Sequence, residues 1–257
     1  MMQITVDGIR RKVQEEITLE DVAKEYGHCE KGEIVLAYQN RHLCELFKQV
    51  KENADITFVD TTEKIGIETY RRSMILMMMK AFRDVLKLDG ATGRIRVLFS
   101  LSKGLYCEMA SHQAVITDEL LRKVEERMHE LVQQNVPIEK HTYNAHDLVK
   151  RFSKQGRKDK VQLFKYRRAS NANAYLLEEF EDYYYGFMVP STGYLKHFAL
   201  YPYEDGFVLQ MPARREPDAV PEFKPQNKLF QVLKQSDEWG VMLNLSLIHI
   251  SEPTRPD

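Results

Sequence analysis

Basic residues are concentrated in one stretch of the sequence, where their positive charge could bind phosphate groups. Between Glu139 and Arg168, ten lysines and arginines face three acids, which leaves an excess of seven positive charges. Cations at this density neutralise several phosphates, so the stretch predicts salt-sensitive binding of RNA or nucleotides. An alternative is a solvated pair of helices whose charge is balanced by the acids between residues 178 and 182. We call nine of these cations the basic patch: Lys150, Arg151, Lys154, Arg157, Lys158, Lys160, Lys165, Arg167 and Arg168.

Three consecutive tyrosines, Tyr183–Tyr185, follow this stretch. Aromatic rings that line a groove can stack on nucleic-acid bases and contribute about 1–3 kcal/mol each. In a strand, however, successive side chains point to opposite faces, so Tyr184 would point away from its two neighbours. We therefore favour packing over base stacking for the three tyrosines.

Motifs of the common catalytic classes are missing from the sequence. It contains neither the GxSxG of serine hydrolases nor the GxxxxGK[ST] loop that wraps the phosphates of ATP. The nearest pair of glycines, in Gly90–Arg94, lacks both the spacing and the Lys-Ser/Thr pair. His146 and His197 have no acid and nucleophile at a readable spacing, so no catalytic triad can be argued.

The composition predicts a soluble protein with a sizeable core. Of 257 residues, 43% are hydrophobic and 29% charged, and the net charge is -1. The longest apolar run, Met74–Met79, is far shorter than the ~20 residues that span a bilayer. Three cysteines lie far apart, which argues against a disulfide framework and a cysteine zinc site. We expect a cytoplasmic protein without a membrane partner.

The first 64 residues have the pattern of a small β-grasp module. Two alternating segments flank the hairpin signal Asp7-Gly8, and Thr18 can cap a short amphipathic helix. Residues 33–38 and 55–59 then predict two further strands. Hairpin, helix and strands in this order are typical of the β-grasp fold.

The next part of the chain alternates helices and strands. A buried helix that begins near Ile67 carries a methionine run, which we interpret as core filling because no His or Cys cluster accompanies it. The further predicted elements are paired strands at 94–99 and 104–109, helices at 117–134, 144–155 and 158–168, strands from 172 onward, and a hairpin across 197–210.

The end of the chain differs in character from the rest. Four prolines between residues 212 and 225 predict an extended connector, and residues 226–239 predict a helix. Residues 246–257 continue no earlier period and resemble a translated sequencing adapter. We therefore expect a non-native tail at 246–257 and a natural reading frame that was cut near Leu245.

Several stretches resemble one family of proteins. The β-grasp start resembles a TGS domain, as found at the front of threonyl-tRNA synthetases. Tyr70–Ser73, Glu126–Val132 and Tyr183–Pro190 resemble the editing-type domain that follows it in those enzymes. The resemblance implies an α+β fold, with a TGS-like β-grasp domain at 1–64 and a threonyl-tRNA-synthetase editing-like domain at 65–211.

The same two domains precede a P-loop kinase in bacterial nucleoside kinases of the uridine kinase type. Arg71–Met74, Phe180–Tyr183 and Phe187–Lys196 resemble that group more closely than they resemble a synthetase. The resemblance covers about residues 1–245. It implies that residues 212–245 are a linker and helix leading to a kinase domain in cis, which would use ATP and magnesium.

The sequence departs from the editing domain at its metal-type positions. The HxxxH pair falls on Arg72 and Leu76, and the CxxxH pair falls on Tyr184 and Met188. None of these four side chains is a normal zinc ligand. We therefore expect neither a metal site nor catalytic residues nor a cofactor in this chain.

The cleft that carries the metal-type positions in the editing domain is, with its donors replaced here, a candidate ligand site. Arg72, Tyr184, Met188 and Lys196 could line it and hold a nucleotide or phosphate without chemistry. The hypothesis starts from the position of Arg72 on an otherwise apolar helix, where an unpaired cation is costly. Alternatively, Arg72 pairs with Glu181 or Asp182.

Three functions follow from these observations. The first is the non-catalytic, regulatory or ligand-sensing front part of a uridine-kinase-type nucleoside kinase. The alternative is a free-standing RNA- or tRNA-binding module that acts through the basic patch. The third is an aminoacyl-ester hydrolase, which the replaced donors disfavour.

Overall fold

The computed structural model describes residues 1–87, 95–109, 115–154, 156, 158–165 and 170–242. The glycine pair of Gly90–Arg94 and the predicted tail at 246–257 lie outside the described residues. In the described part, no helix is both long and apolar enough to cross a membrane. The predicted domain boundaries at 64, 211 and 245 and the cytoplasmic location stay predictions.

The first sheet has five strands in the order β2-β1-β5-β3-β4. Its strands are β1 (Met2–Val6), β2 (Ile9–Val13), β3 (Ile34–Gln39), β4 (His42–Glu45) and β5 (Asp55–Asp60). Strands β1 and β5 run parallel, whereas the other neighbours are antiparallel. Asp7 and Gly8 close the β1–β2 hairpin with φ of 47° and 81°, which is typical of the predicted two-residue turn. This is the β-grasp arrangement that the sequence predicts.

Helix α1 (Leu19–Tyr26) packs on the first sheet through Leu19 and Val22. Its N-terminus is held by a capping box, in which the Asp21 amide donates to Thr18 Oγ1 and the Thr18 amide donates to Asp21 Oδ2. The side-chain and backbone hydrogen bonds from Thr18 lower the pKa of Asp21. The cap that the sequence predicts is confirmed.

Removing this cap should lower stability. Thr18→Ala is expected to reduce the free energy of unfolding by about 1 kcal/mol, because the first turn of α1 loses its side-chain acceptor. Urea denaturation measures the change. Thr18→Ser keeps the acceptor and serves as the control, and equal losses in both variants would contradict the capping role.

Helix α2 (Lys64–Leu86) is the central element of the main core. It begins one turn before the predicted Ile67, because Gly66 lets the helix lie against the Asp60 carbonyl, where a Cβ would come within 1.9 Å. Helix α3 (Asp118–Gln134) packs beside it and is capped by Thr117. The predicted apolar residues of α2 are buried: Met74, Met77, Met78, Ala81 and Phe82.

The second sheet has the order β10-β9-β8 and carries two short helices. Its elements are β8 (Ile138–Asn144), α4 (Ala145–Lys154), α5 (Lys158–Lys165), β9 (Asn171–Leu177) and β10 (Phe180–Tyr183). Strand β8 was not predicted, because its polar sequence buries only Ile138. Seven residue pairs with β9 define it instead.

The third sheet has the order β11-β12-β7-β6. Its strands are β6 (Ile95–Leu101), β7 (Gly104–Met109), β11 (Ala199–Tyr203) and β12 (Gly206–Gln210). A short 3-10 helix, Thr192–Tyr194, precedes β11. Helix α6 (Asn227–Met242) packs Phe230 against Phe99 and Tyr106. The predicted α+β fold is confirmed.

Candidate functional site

Arg72 lies at the contact between α2 and the segment that follows β10. Its Nη1 donates a hydrogen bond to the Phe187 carbonyl oxygen at 2.7 Å. The main chain at Gly186 closes on the guanidinium with φ +118°, and a Cβ there would lie 2.8 Å from Arg72 Cζ. Only glycine fits both the backbone conformation and this close approach. The guanidinium is therefore held in place by main chain on one side.

The proposed pairing of Arg72 with Glu181 or Asp182 is wrong. Glu181 accepts from Arg151 at 3.0 Å, and Asp182 lies 3.3 Å from the ammonium group of Lys160. Both acids therefore pair with cations of α4 and α5, while Arg72 turns to the Phe187 carbonyl. Burial lowers the pKa of Arg72, and the nearby charge of Glu68 opposes that shift.

The other replaced metal positions are filled by packing. Leu76 and Met188 are fully buried in the core around α2. The Met188 sulfur accepts from Ser73 Oγ at 3.3 Å, and the hydroxyl of Tyr184 lies 3.5 Å from the sulfur of Met79. Of the four residues, Arg72 is therefore the one whose side chain carries a charge.

Lys196 does not join the other three cleft residues. It is half-exposed and pairs with Glu33, which directly precedes β3 of the first sheet. Among the described residues, no hydrogen bond or ion pair links Lys196 with Arg72, Tyr184 or Met188. The structure thus places Arg72 and Met188 around Phe187 and separates Lys196 from them.

A buried carboxylate next to this site was missed by sequence reasoning. Glu45 ends β4 with no exposed surface, and its carboxylate binds Lys140 Nζ at 2.7 Å and the Tyr175 hydroxyl at 2.6 Å. The Tyr175 hydroxyl also lies 2.6 Å from the Gly186 carbonyl oxygen. Burial, followed by the charge of Glu45, raises the pKa of Tyr175. No local pattern marks Glu45, because its partners are about 95 and 130 residues away.

Metal-ligating side chains do not cluster in the described part of the chain, where no group of three could hold an ion. The expectation that the chain binds no metal stays a prediction.

The basic patch is only partly available for a ligand. The structure describes four of its nine side chains, and those of the other five, at 157, 158, 165, 167 and 168, lie outside the described residues. Arg151 and Lys160 hold the buried acids of β10, whereas Lys150 and Lys154 are exposed on α4. The alternative from the sequence, that the acids between residues 178 and 182 balance the basic stretch, is therefore correct for Arg151 and Lys160, two of the four described cations.

The three tyrosines occupy three different environments. Tyr183 ends β10 and is buried beside Phe164, Tyr184 is half-buried, and Tyr185 is 64% exposed. The Lys160 ammonium lies over the rings of both Tyr183 and Tyr184. Packing thus accounts for the first two rings, as the sequence predicted, whereas the third is mostly exposed.

Curated relatives were found for most of the chain. The threonine–tRNA ligase of Syntrophotalea carbinolica is 27% identical over 201 residues, which are 78% of this chain and 31% of that enzyme. Those of Carboxydothermus hydrogenoformans and Thermotoga maritima are 28% and 26% identical over 191 and 195 residues. The chain is similar to part of threonine–tRNA ligases. It spans about a third of their length, and no family model matches it.

These relatives support the synthetase side of the resemblance. The similarity agrees with a TGS-like and editing-like α+β arrangement. It gives no support to the uridine-kinase parent, which rests on the motifs alone and stays a prediction.

Proposed function

We propose that this chain is a non-catalytic RNA-recognition module, related to the front part of threonyl-tRNA synthetases. The observation that carries the proposal is the filled cleft. At the four positions where the editing domain has its histidines and cysteine, this chain has Arg72, Leu76, Tyr184 and Met188. To hydrolyse an aminoacyl ester, a water molecule would have to be activated by polar groups or by a metal at these positions.

The exposed cations of α4 supply the electrostatic side of the proposal. Lys150 and Lys154 are exposed to solvent, and within the described residues the only ion-pair contact of Lys150 is the one to the exposed Asp147, at 4.0 Å. Their charge is thus available to phosphates, whereas Arg151 and Lys160 are already neutralised by Glu181 and Asp182. Exposed cations, such as those of Lys150 and Lys154, bind nucleic acid in a salt-dependent way.

Filter binding of a bacterial tRNA mixture at two salt concentrations tests this proposal. The double variant Lys150→Gln/Lys154→Gln is expected to bind about tenfold more weakly at low salt, with a salt slope reduced by about two. The matched control, Arg122→Gln/Lys123→Gln, removes two exposed cations of α3 and should bind like the unaltered chain. Equal losses in both variants, or tRNA binding that ignores salt, would contradict the proposal.

A second candidate, the regulatory front part of a nucleoside kinase, is favoured by the connector after β12. The Gly32 amide donates to Asp218 Oδ1, and the Lys224 amide donates to Ser102 Oγ, so the connector is fixed to the first and third sheets. A fixed connector would hold a following ATP- and magnesium-binding domain in a constant position. Sequencing genomic DNA past codon 245 tests it: a P-loop supports this candidate, and an immediate stop codon refutes it.

A further inference from the structure

The guanidinium of Arg72 has an unused hydrogen-bonding edge. Within the described residues its only hydrogen bond runs from Nη1 to the Phe187 carbonyl, and no carboxylate lies within ion-pair distance. Nε and Nη2 are left together on the other edge of the planar group. Neither nitrogen is sealed from solvent, in contrast to Arg71 Nε, which is buried without a partner in the described residues.

The charge around Arg72 is not neutralised locally. Lys140 is bound by Glu45 at 2.7 Å, so this neighbouring pair contributes no net charge. Glu68, one turn earlier on α2, and Glu45 act on Arg72 through space, and neither forms an ion pair with it in the described residues. A half-buried arginine with one positive charge in excess is stabilised by an anion that enters from the open side.

The geometry selects the kind of anion. Two parallel N–H groups of a guanidinium match two oxygens of a phosphate or carboxylate, which gives a bidentate contact. The Phe187 carbonyl holds Nη1, and the main chain at Gly186 lies against Cζ, Nη1 and Nε, so little conformational freedom is lost when the anion binds. The half-buried rings of Tyr184 and Phe187 lie on the same segment and could contact an attached base.

We propose that the Nε–Nη2 edge of Arg72 is a binding site for one phosphate group of a nucleotide or an RNA strand. The site deepens the proposed function, from which it takes the class of ligand. It binds the phosphate without bond-making, because the side chains at the neighbouring cleft positions, Leu76 and Met188, are apolar and buried.

Calorimetric titration of the full chain with inorganic phosphate and with adenosine monophosphate tests the site. Arg72→Gln is expected to weaken both ligands at least about tenfold, and Arg72→Lys, which keeps the charge and loses the fork, by a smaller factor. The control Arg83→Gln alters an arginine of the same helix that contacts Glu179 and Phe180, and it should stay within about twofold. Tighter binding of the nucleotide than of phosphate would indicate that the base is contacted.

A direct measurement guards against misfolded variants. In the unaltered chain, the Nε–H resonance of Arg72, assigned by its absence from Arg72→Lys, should shift as phosphate is added. A resonance that does not move, or equal phosphate affinity in Arg72→Gln, overturns the site.

The two proposals can fail separately. If phosphate binds through Arg72 while tRNA does not bind, the RNA-recognition proposal fails and this site remains. If tRNA binds and Arg72→Gln leaves the phosphate affinity unchanged, only this site fails.

Discussion

Glu45→Ala is expected to lower the free energy of unfolding by about 3–5 kcal/mol, the largest effect of any single change proposed here. The carboxylate is fully buried and is contacted by Lys140, Tyr175 and the Met188 amide. Its removal leaves the ammonium group of Lys140, which is 18% exposed, without a counter-charge. Urea denaturation followed by circular dichroism measures the loss.

The contacts of Glu45 explain the size of this effect. The residue belongs to the first sheet, whereas its three partners belong to the second sheet and to the segment after β10. The pair also places Lys140 over the rings of Tyr175 and Phe187, at 5.7 Å from each centroid. Losing the carboxylate therefore loosens both the junction of the two sheets and the segment that holds Arg72.

Two further variants separate this explanation from a general loss of packing. Glu52→Ala removes an exposed glutamate near β5 and should change stability by less than about 0.5 kcal/mol. The double variant Glu45→Leu/Lys140→Met replaces the whole pair by apolar groups and should be more stable than either single variant. A loss below about 1 kcal/mol in Glu45→Ala would contradict a buried, paired carboxylate.

Lys80→Met is expected to cost about 2–3 kcal/mol, the second largest effect. The side chain of Lys80 is 2% exposed, and its ammonium group binds three carboxylates, those of Asp84, Glu178 and Glu179, at 2.6–2.9 Å. Without the cation, Glu179 loses this ion pair, while Asp84 and Glu178 keep their contacts with Arg127 at 2.9 and 3.7 Å. The estimate lies below that for Glu45 because the three acids are partly exposed and water screens them.

The acid dependence of stability checks the same cluster. The hydrogen bond from Lys80 holds the pKa of Glu179 below its usual value of 4.5. A carboxyl with a lowered pKa in the folded state stabilises the fold above 4.5, and this contribution is lost as the pH falls through the folded-state pKa. The unaltered chain should therefore lose more stability on acidification than Lys80→Met does. Lys64→Met, at the exposed start of α2, is the matched control and should follow the unaltered chain at every pH.

Local patterns were sufficient for most helices and hairpins. The apolar period of α3, the Thr18 capping box and the Asp7-Gly8 turn each depend on residues within a few positions of one another. Strand β8 escaped prediction, because a polar strand at a sheet edge is defined by its partner β9 and not by its own sequence.

For the candidate site, too, some features can be predicted from the sequence and others depend on the tertiary structure. The sequence by itself predicts that Arg72, Leu76, Tyr184 and Met188 are not zinc ligands, since ligand chemistry depends on residue type. Tertiary structure alone decided which partner Arg72 has, that Lys196 lies elsewhere, and that Glu45 joins the site. A cation can reach several acids and carbonyls, and the packing of elements distant in sequence selects one of them. For that reason residue types are enough to predict which chemistry the site lacks, whereas the groups left to bind a ligand depend on the fold.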